Sequence, residues 1–256
     1  MAVRPGKAAV AAALLNIEPR QIPDMPHKDC ALTIIMPVLN EAAGLLDALA
    51  ALAPLVDNGV QVIIVDGGST DATGAMAHAS QSPVVTLVHA GPGRALQMNA
   101  GAAHATGKAL LFLHADTVLP LHADALVQQA LASGAQVWGR FDVRIVGKSA
   151  WLPVIAVLMN FRSRLTGIAT GDQAIFMTQA AFVATGGYAA QPLMEDIDMS
   201  GRLLKLSKPA CLRQKVMTSG RRWDARGVWR TIALMWRLRF AYWRGTAPER
   251  LTQLYR

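Results

Sequence analysis

Carboxylates stand at three places in this sequence where an enzyme could use them. Asp66 and Asp116 each follow an apolar run of strand length, and Glu195 and Asp196 open a polar cluster late in the chain. In an open α/β sheet, ligands bind beyond the carboxyl ends of the strands, so the first two aspartates lie where a substrate is expected. A carboxylate there can hold a hard divalent cation that in turn holds phosphates. The alternative is that both aspartates only close turns before the next helix.

The elements that would carry these residues alternate between strand and helix. Four apolar strands, each followed by a short connection and a helix, are predicted at Leu32–Met36, Val60–Val65, Val84–Val88 and Leu110–Leu113. The first of these helices is expected at about Glu41–Leu55. This alternation predicts a mostly parallel sheet that helices cover on both faces. The pattern then changes to an outer strand at Val137–Val146, a helix at Trp151–Leu165 and a strand at Gln173–Thr178.

Composition places the chain among globular proteins. Of 256 residues, 52% are apolar and 16% are charged. No apolar run approaches the roughly 20 residues that a membrane-spanning helix needs. Residues 1–29 are interpreted as a loose extension, because their Ala-rich run lacks the cleavage site of a secretory signal. Cys30 and Cys211 show no metal-type spacing and indicate reduced thiols in the cytoplasm.

The net charge of +8 is unevenly distributed along the chain. Residues 200–256 contain 14 lysines and arginines but only two acidic residues, so the remainder of the chain is acidic. Such asymmetry suggests that the C-terminal part faces an anionic surface or a phosphorylated ligand.

Neither of the common phosphate-binding motifs is present. A dinucleotide-binding fold would show G-x-G-x-x-G after the first strand, and a P-loop would show G-K-[ST]. Instead, Asn40, Glu41 and Asp66 follow the first two strands. Polar side chains in those places suit the base and ribose of a nucleotide better than a bare phosphate.

The chain resembles the family 2 glycosyltransferases, whose GT-A fold is a Rossmann-like, mostly parallel sheet flanked by helices. The resemblance runs from about Leu32 to Trp223 and rests on five motifs in their usual order: Pro37-x-x-Asn40-Glu41, Asp66-Gly67-Gly68-Ser69-Thr70-Asp71, Arg94 with Asn99-x-Gly101, His114-Ala115-Asp116, and Glu195-Asp196. It is most similar to a small bacterial branch, some members of which are associated with arsenosugar biosynthesis.

The resemblance implies roles for individual residues of this chain. A nucleoside pocket would be lined by three residues of the first loop, Pro37, Asn40 and Glu41. Asp66 would bind the base, commonly uracil, and Arg94 would approach the donor diphosphate. Asp116 would hold Mg²⁺ or Mn²⁺ on that diphosphate, and Asp196 would be the general base.

One position departs from the family pattern. The residue two positions before the metal ligand is usually acidic, and here it is His114. A neutral imidazole can ligate a metal or bond a ribose hydroxyl, but it adds no negative charge. We therefore expect His114 to line the donor site and the metal affinity to be lower than usual.

Six residues are candidates for the acceptor side: Gly171, Asp172, Gln173, Glu195, Arg222 and Trp223. The first three precede a predicted strand and could shape an acceptor pocket. Arg222 and Trp223 resemble an arginine–tryptophan element that contacts diphosphate or acceptor in larger relatives, although the glutamine that usually precedes it is missing.

Asp196 is expected to begin a helix whose N-terminal dipole favours the ionised carboxylate. Glu195 and Asp198 would act in the opposite direction and leave Asp196 basic enough to accept a proton. The alternative is that these acids only complement the helix end. Asp198 and Arg202 have the spacing of an ordinary i,i+4 ion pair.

The tail contains an amphipathic helix from Val228 to Arg244. Its apolar residues recur at spacings of three, four and seven, and they include Trp229, Trp236, Phe240 and Trp243. Arg230, Arg237 and Arg244 form a neighbouring stripe. Aromatic residues beside arginines suit an anionic membrane surface. The alternative is that the aromatic side chains pack on the catalytic domain or on a second subunit.

Together these features predict a metal-dependent, inverting glycosyltransferase. It would move a sugar from a UDP-linked donor to an unidentified acceptor hydroxyl. The expected organisation is an extension over residues 1–29, a GT-A domain over 30–223 and an appended C-terminal helical segment over 224–256. The protein is expected in the cytoplasm or at the inner face of the membrane. The alternatives are a nucleotidyltransferase and a basic module that binds membranes or nucleic acid. The motifs favour the glycosyltransferase, so no nucleic acid is expected as a partner.

Overall fold

The computed structural model describes residues 30–255, so the predicted extension at 1–29 lies outside the described residues. Strand and helix alternate through the first half. The elements are β1 (Leu32–Val38), α1 (Leu45–Asp57), β2 (Gln61–Asp66), α2 (Thr73–Ala79), β3 (Val85–His89), α3 (Arg94–Ala103), β4 (Ala109–Phe112), β5 (Thr117–Val118) and α4 (Ala123–Leu131). The four predicted strands are confirmed within one or two residues at each end.

The first four strands pair with one another in parallel. β1 lies between β2 and β4, and β3 lies outside β2. Successive residues of β1 point to opposite faces, so Ile34 and Met36 enter one buried cluster while Ile35 enters another. Both faces of the sheet are therefore covered, which is why these strands are continuous apolar runs.

The second half adds antiparallel pairings. Its elements are β6 (Trp138–Val146), α5 (Leu152–Thr166), a 3₁₀ turn (Gly171–Gln173), β7 (Phe176–Thr178), α6 (Gln179–Thr185), α7 (Glu195–Leu203), β8 (Ala210–Ser219), α8 (Arg221–Arg226), α9 (Val228–Trp243) and α10 (Pro248–Tyr255). The eight strands are ordered β3-β2-β1-β4-β7-β6-β8-β5. The result is a mixed α/β sheet with the GT-A architecture that the sequence predicts.

The prediction of β6 as an outer strand is wrong. β6 lies between β7 and β8, and its Arg140 is fully buried. The charge of Arg140 is met by an ion pair with Asp142, and its Nε donates to the Ser163 hydroxyl at 3.1 Å. A polar residue that suggests an exposed strand is thus accommodated inside by partners that sequence spacing does not reveal.

Two predicted boundaries also differ. α1 begins at Leu45 and not near Glu41, because the amide of Glu41 donates to the Thr73 hydroxyl at 2.8 Å and that of Ala42 to the Asp71 carboxylate at 3.2 Å. Gln173 lies in the 3₁₀ turn and not in β7.

The predicted amphipathic helix of the tail is confirmed as α9. It buries Leu238 against Met194 and against Leu251 of α10. Of the aromatic stripe, Trp229 meets the Trp151 ring at the start of α5, whereas Trp236 and Trp243 are 76% and 79% exposed and do not pack on the described part of the catalytic domain. Within residues 30–255, no helix has both the length and the apolar character required to cross a membrane.

Candidate active site

The carboxyl ends of β1 and β2 are joined by a residue that sequence analysis did not single out. The Gln97 side chain, on α3 and 2% exposed, donates from Nε2 to the carbonyls of Val38 and Val65, both at 2.8 Å. These carbonyls stand where the two strands separate. Gln97 therefore links the two strand ends, and the Val38 carbonyl also accepts from the Gly67 amide at 3.0 Å.

The loops after β1 and β2 are bound to each other through Asn40. Its amide donates to the Ser69 hydroxyl at 2.9 Å, and its side-chain oxygen accepts from the Thr70 amide at 2.8 Å. Asn40 has a positive φ of 55°, a conformation that asparagine tolerates better than most residues. Pro37 is buried inside β1. Asn40 thus joins the two loops, and the contact of Pro37 and Asn40 with a nucleoside stays a prediction.

Asp66 ends β2 with its side chain almost buried. One carboxylate oxygen accepts from the Ser69 amide at 3.0 Å and from the Ser69 hydroxyl at 2.6 Å. The other lies 3.7 Å from His89 Nδ1. Asp66 therefore closes a turn, as the alternative reading expected, and its contact with a nucleotide base stays a prediction.

Asp116 and Glu41 are brought together by Arg221. The Arg221 guanidinium lies 3.3 Å from a Glu41 oxygen and 3.6 Å from an Asp116 oxygen. A hydrogen bond from Arg221 to Glu41 and the charges of Glu41 and Asp116 raise the pKa of Arg221. Sequence analysis chose Arg222 and Trp223 for this place, whereas the structure puts the preceding residue there.

His114 connects this region to the predicted acceptor side. Its Nδ1 lies 3.3 Å from an Asp172 carboxylate oxygen. Burial alone would raise the pKa of Asp172, but the hydrogen bond from His114 and the nearby charges of His114 and Arg94 lower it. The His114 ring lies against Gly171, where an added Cβ would come within 2.5 Å of Nε2. Only glycine fits this contact.

The predicted base is held by the same turn. One oxygen of Asp196 accepts from the Gly171 amide at 3.0 Å, and the other accepts from the Ile197 amide at 2.8 Å. Burial raises the pKa of Asp196, although these hydrogen bonds oppose the rise. Asp172 adds a further upward contribution, whereas Asp198 is paired with Arg202 at 2.6 Å. The expectation that Asp198 acts on Asp196 is therefore not supported.

Glu195 lies beside Asp196 with 7% of its surface exposed. Burial, followed by repulsion from Asp196, raises the pKa of Glu195 from 4.5 to about 7. Carboxyl groups with such pKa values are suited to proton transfer near neutral pH.

Arg94 faces these acidic groups from the first turn of α3. Its side chain is exposed, yet it lies within the field of Glu195, Asp172 and Asp196. Partial desolvation would lower the pKa of Arg94, but the carboxylates raise it above its ordinary value. Arg94 thus places positive charge near Glu195, Asp172 and Asp196, whereas Arg221 places it near Glu41 and Asp116.

Other predicted residues have packing roles. Gln173 is fully buried, its Nε2 donates to Asn160 Oδ1 at 3.4 Å, and Trp223 packs against the core cluster of α5. The Arg222 guanidinium lies over the Tyr255 ring at 5.0 Å. Asn99 holds the Tyr188 backbone with two hydrogen bonds of 2.8 Å.

Asp116 is suited to a metal ion that arrives with its substrate. Among residues 30–255, no group of three or more His, Cys, Asp or Glu side chains is placed to hold a metal. The Asp116 side chain is 31% exposed and already faces a positive charge. Since Mg²⁺ is commonly bound by one or two carboxylates with substrate phosphates and water, this donor set fits a cation on a diphosphate.

Comparison with solved structures shows the fold. S. aureus TarS 1–349 in complex with UDP-GlcNAc is 14% identical, with 74% of this chain and 58% of that chain covered and a TM-score of 0.59. The mannosyltransferase PcManGT from Pyrobaculum calidifontis, in complex with GDP-Man and Mn²⁺, is 18% identical, with 91% and 67% covered and a TM-score of 0.58.

A third similar structure is glucosyl-3-phosphoglycerate synthase from Mycobacterium tuberculosis with Mn²⁺, UDP and phosphoglyceric acid. It is 22% identical, with 72% of this chain and 69% of that chain covered and a TM-score of 0.53. The chain spans about 60% of the length of the TarS 1–349 structures. No curated protein sequence matches this chain.

The sequence model described as "Glycosyl transferase family 2" matches residues 33–189. The matched stretch contains both strand-end loops, Arg94, the His114–Asp116 segment and the 3₁₀ turn that positions Asp196. It covers more than half of the chain, and the fold is that of GT-A glycosyltransferases. The chain therefore belongs to glycosyl transferase family 2.

Proposed function

We propose that the protein transfers a sugar from a UDP-linked donor to an acceptor hydroxyl, with inversion at the sugar carbon and with a divalent cation. One observation carries this proposal. Two contacts and one peptide link connect the two halves of the site. His114, two residues before Asp116, lies 3.3 Å from Asp172; Asp172 follows Gly171 in the chain; and the Gly171 amide donates to Asp196. The segment that carries Asp116 and the helix that carries Asp196 are thus connected through the 3₁₀ turn.

The mechanism follows from what these side chains can do. Asp196 accepts the proton of the acceptor hydroxyl as its oxygen forms a bond to the sugar carbon, while the bond to the diphosphate breaks. Arg94 and Arg221 stabilise the negative charge that develops on the departing diphosphate. A cation held by Asp116 would supply further charge neutralisation there. Displacement from the face opposite the leaving group gives inversion.

The donor class is supported by the similar structures, whose complexes contain UDP-GlcNAc, GDP-Man and UDP, two of them with Mn²⁺. We propose UDP because the family resemblance implies that Asp66 binds the base, commonly uracil, and Asp66 ends β2 beside the loops that Asn40 joins. The choice of Mg²⁺ or Mn²⁺ belongs to the same proposal. Membership of the bacterial branch associated with arsenosugar biosynthesis is proposed on the motif resemblance alone.

We also propose the cytoplasm as the location and an anionic membrane surface as a partner of α9. The thiols of Cys30 and Cys211 are free, which agrees with a reducing compartment. The aromatic stripe of α9 is exposed beside Arg230, Arg237 and Arg244.

A thermal-shift experiment tests the donor proposal. UDP with Mn²⁺ should raise the melting temperature more than ADP with Mn²⁺, because ligand binding stabilises the folded state by mass action. Asp116→Asn should remove the part of the shift that depends on Mn²⁺. Asp57→Asn is the matched control, since Asp57 is exposed at the end of α1, before β2 begins. Equal shifts for UDP and ADP, or an unchanged Mn²⁺ effect in Asp116→Asn, would contradict the proposal.

A further inference from the structure

Helix α5 exposes an apolar face that the catalytic site does not use. Six large apolar side chains form it, each at least 47% exposed: Trp151, Val154, Val157, Leu158, Phe161 and Leu165. They are spaced by three, three, one, three and four residues, so they share one side of the helix. The opposite side is buried through Leu152, Ile155 and Ser163. A helix that is apolar on its solvent side as well as its core side is unusual for a soluble surface.

The exposed stripe of α9 begins beside this face. Trp229, Trp236, Phe240 and Trp243 follow at spacings of seven, four and three and are 59–79% exposed. The Trp151 and Trp229 rings meet edge to face, with centroids 5.2 Å apart. The two helices therefore present neighbouring apolar surfaces that meet at this ring pair.

We propose that α5 and α9 together form one docking face for an anionic lipid surface. This inference rests on the proposed membrane partner of α9 and extends it to α5, and it is independent of the sugar that is transferred. Both helices would lie in the plane of the lipid headgroups, since no described helix is suited to crossing the bilayer. Tryptophan is the residue that such an interface favours.

The charges on α5 and α9 favour anionic lipid over a second copy of the chain as the partner of this face. Arg230, Arg237 and Arg244 lie beside the aromatic stripe, and the Arg244 guanidinium sits 5.9 Å from the Phe240 ring centroid. Neither α5 nor α9 contains an Asp or Glu. A second copy docked through the same helices would bring no carboxylate from them to these arginines, whereas anionic headgroups would meet all three.

Vesicle binding of the full chain tests the proposal. The wild type should bind vesicles that contain phosphatidylglycerol more strongly than phosphatidylcholine vesicles, with a blue shift of tryptophan emission. The α5 variant Val157→Ser/Phe161→Ser/Leu165→Ser should lose about tenfold or more in apparent affinity, because three apolar side chains no longer enter the lipid. Leu96→Ser/Val183→Ser is the matched control, since these exposed residues lie on α3 and α6, which pack on the other face of the sheet.

The charge component has its own pair of variants. Arg230→Gln/Arg237→Gln/Arg244→Gln should weaken binding to phosphatidylglycerol vesicles by roughly 10²-fold, whereas the three Lys replacements should retain it.

If Trp236→Ala/Trp243→Ala abolishes binding but the α5 variant binds like wild type, the extension to α5 is wrong while the α9 partner stands. If the wild type does not bind phosphatidylglycerol vesicles, both are wrong.

Discussion

Glu195 and Asp196 are adjacent acids at the start of α7, but different partners hold them. Asp196 is anchored by the Gly171 and Ile197 amides, while Glu195 is nearly buried. Because the two carboxyl groups repel each other, their protons are lost as a coupled pair. Asp196, which is anchored, is the proposed proton acceptor. Glu195, which is buried, raises the free-energy cost of ionising both carboxyl groups.

Replacement of Glu195 by glutamine tests the free-energy cost of ionising this buried carboxyl group. The folded pKa of Glu195 is about 7, above its ordinary value of 4.5, so the folded state holds this proton more tightly than the unfolded state. Stability should therefore fall as the pH rises from about 4.5 to about 7 and then level off. Glu195→Gln should remove this dependence and raise the free energy of unfolding at pH 8 by up to about 3 kcal/mol.

Denaturant unfolding at pH 4, 6 and 8 measures this effect. At pH 4 the variant and the wild type should be nearly equal, because both carry a neutral side chain. A variant less stable than wild type at pH 8 would contradict the stated burial cost.

Asp196→Asn should reduce turnover by roughly 10²–10⁴-fold, the usual contribution of a general base. Release of UDP from a UDP-sugar, with water as the acceptor, provides the measurement. UDP binding should stay near wild type because the donor contacts lie elsewhere. Full activity in Asp196→Asn together with an inactive Glu195→Gln would transfer the role of base to Glu195.

At the residue scale, the sequence indicated which segments meet but not always which side chain. The positions of His114, Asp116 and Asp196 next to strand and helix ends could be predicted from the motifs, while their roles stay predictions. Arg221 could not be distinguished from Arg222, since one residue of rotation on a short helix decides which guanidinium reaches Glu41. Gln97 gave no signal, because its role depends on two carbonyls far away in the chain.

At the scale of elements, the 3₁₀ turn Gly171–Gln173 holds both the imidazole of His114 and the carboxylate of Asp196. An added Cβ at Gly171 would press on His114, so Gly171→Ala should lower the free energy of unfolding by about 1–3 kcal/mol. Activity should fall more than that of a generally destabilised variant, because the Gly171 amide positions Asp196.

Gly201→Ala is the control for this change. Gly201 lies within α7, and an added Cβ there would meet nothing within 4 Å, so alanine should stabilise the helix by about 0.5–1 kcal/mol. Chemical denaturation and UDP release check both variants. If Gly171→Ala is as stable and as active as the wild type, the 3₁₀ turn does not position His114 and Asp196 as proposed.

The elements of the first half were predictable because parallel strands buried on both faces are continuous apolar runs. The second half was not, because its strands pair over long distances. β8 contains Arg213, Gln214 and Lys215 and was not predicted, yet it pairs with β6 in parallel and with β5 in antiparallel orientation. Without β8, β6 had to be assigned to the edge.

At the scale of the whole molecule, the C-terminal segment is joined to the catalytic half. Leu238 of α9 and Leu251 of α10 are fully buried against Met194, the residue before Glu195. The segment that begins at residue 224 therefore packs against the residue that precedes α7.

Leu251→Ala tests this connection. Removal of a buried leucine side chain should lower the free energy of unfolding by about 2–5 kcal/mol. Leu254→Ala, three residues later on the same helix and 40% exposed, should cost much less. Thermal and urea unfolding of both variants give the comparison. Equal small effects would indicate that the tail is an independent appendage.

The bridge that Gln97 makes between the carbonyls of Val38 and Val65 has a consequence for the kinetics of donor binding. Because one amide fixes both strand ends during folding, their ordering is complete before a nucleotide arrives, and binding bears no entropic cost for them. Donor association should then be a single bimolecular step, linear in nucleotide concentration, with no slow closure of these two loops.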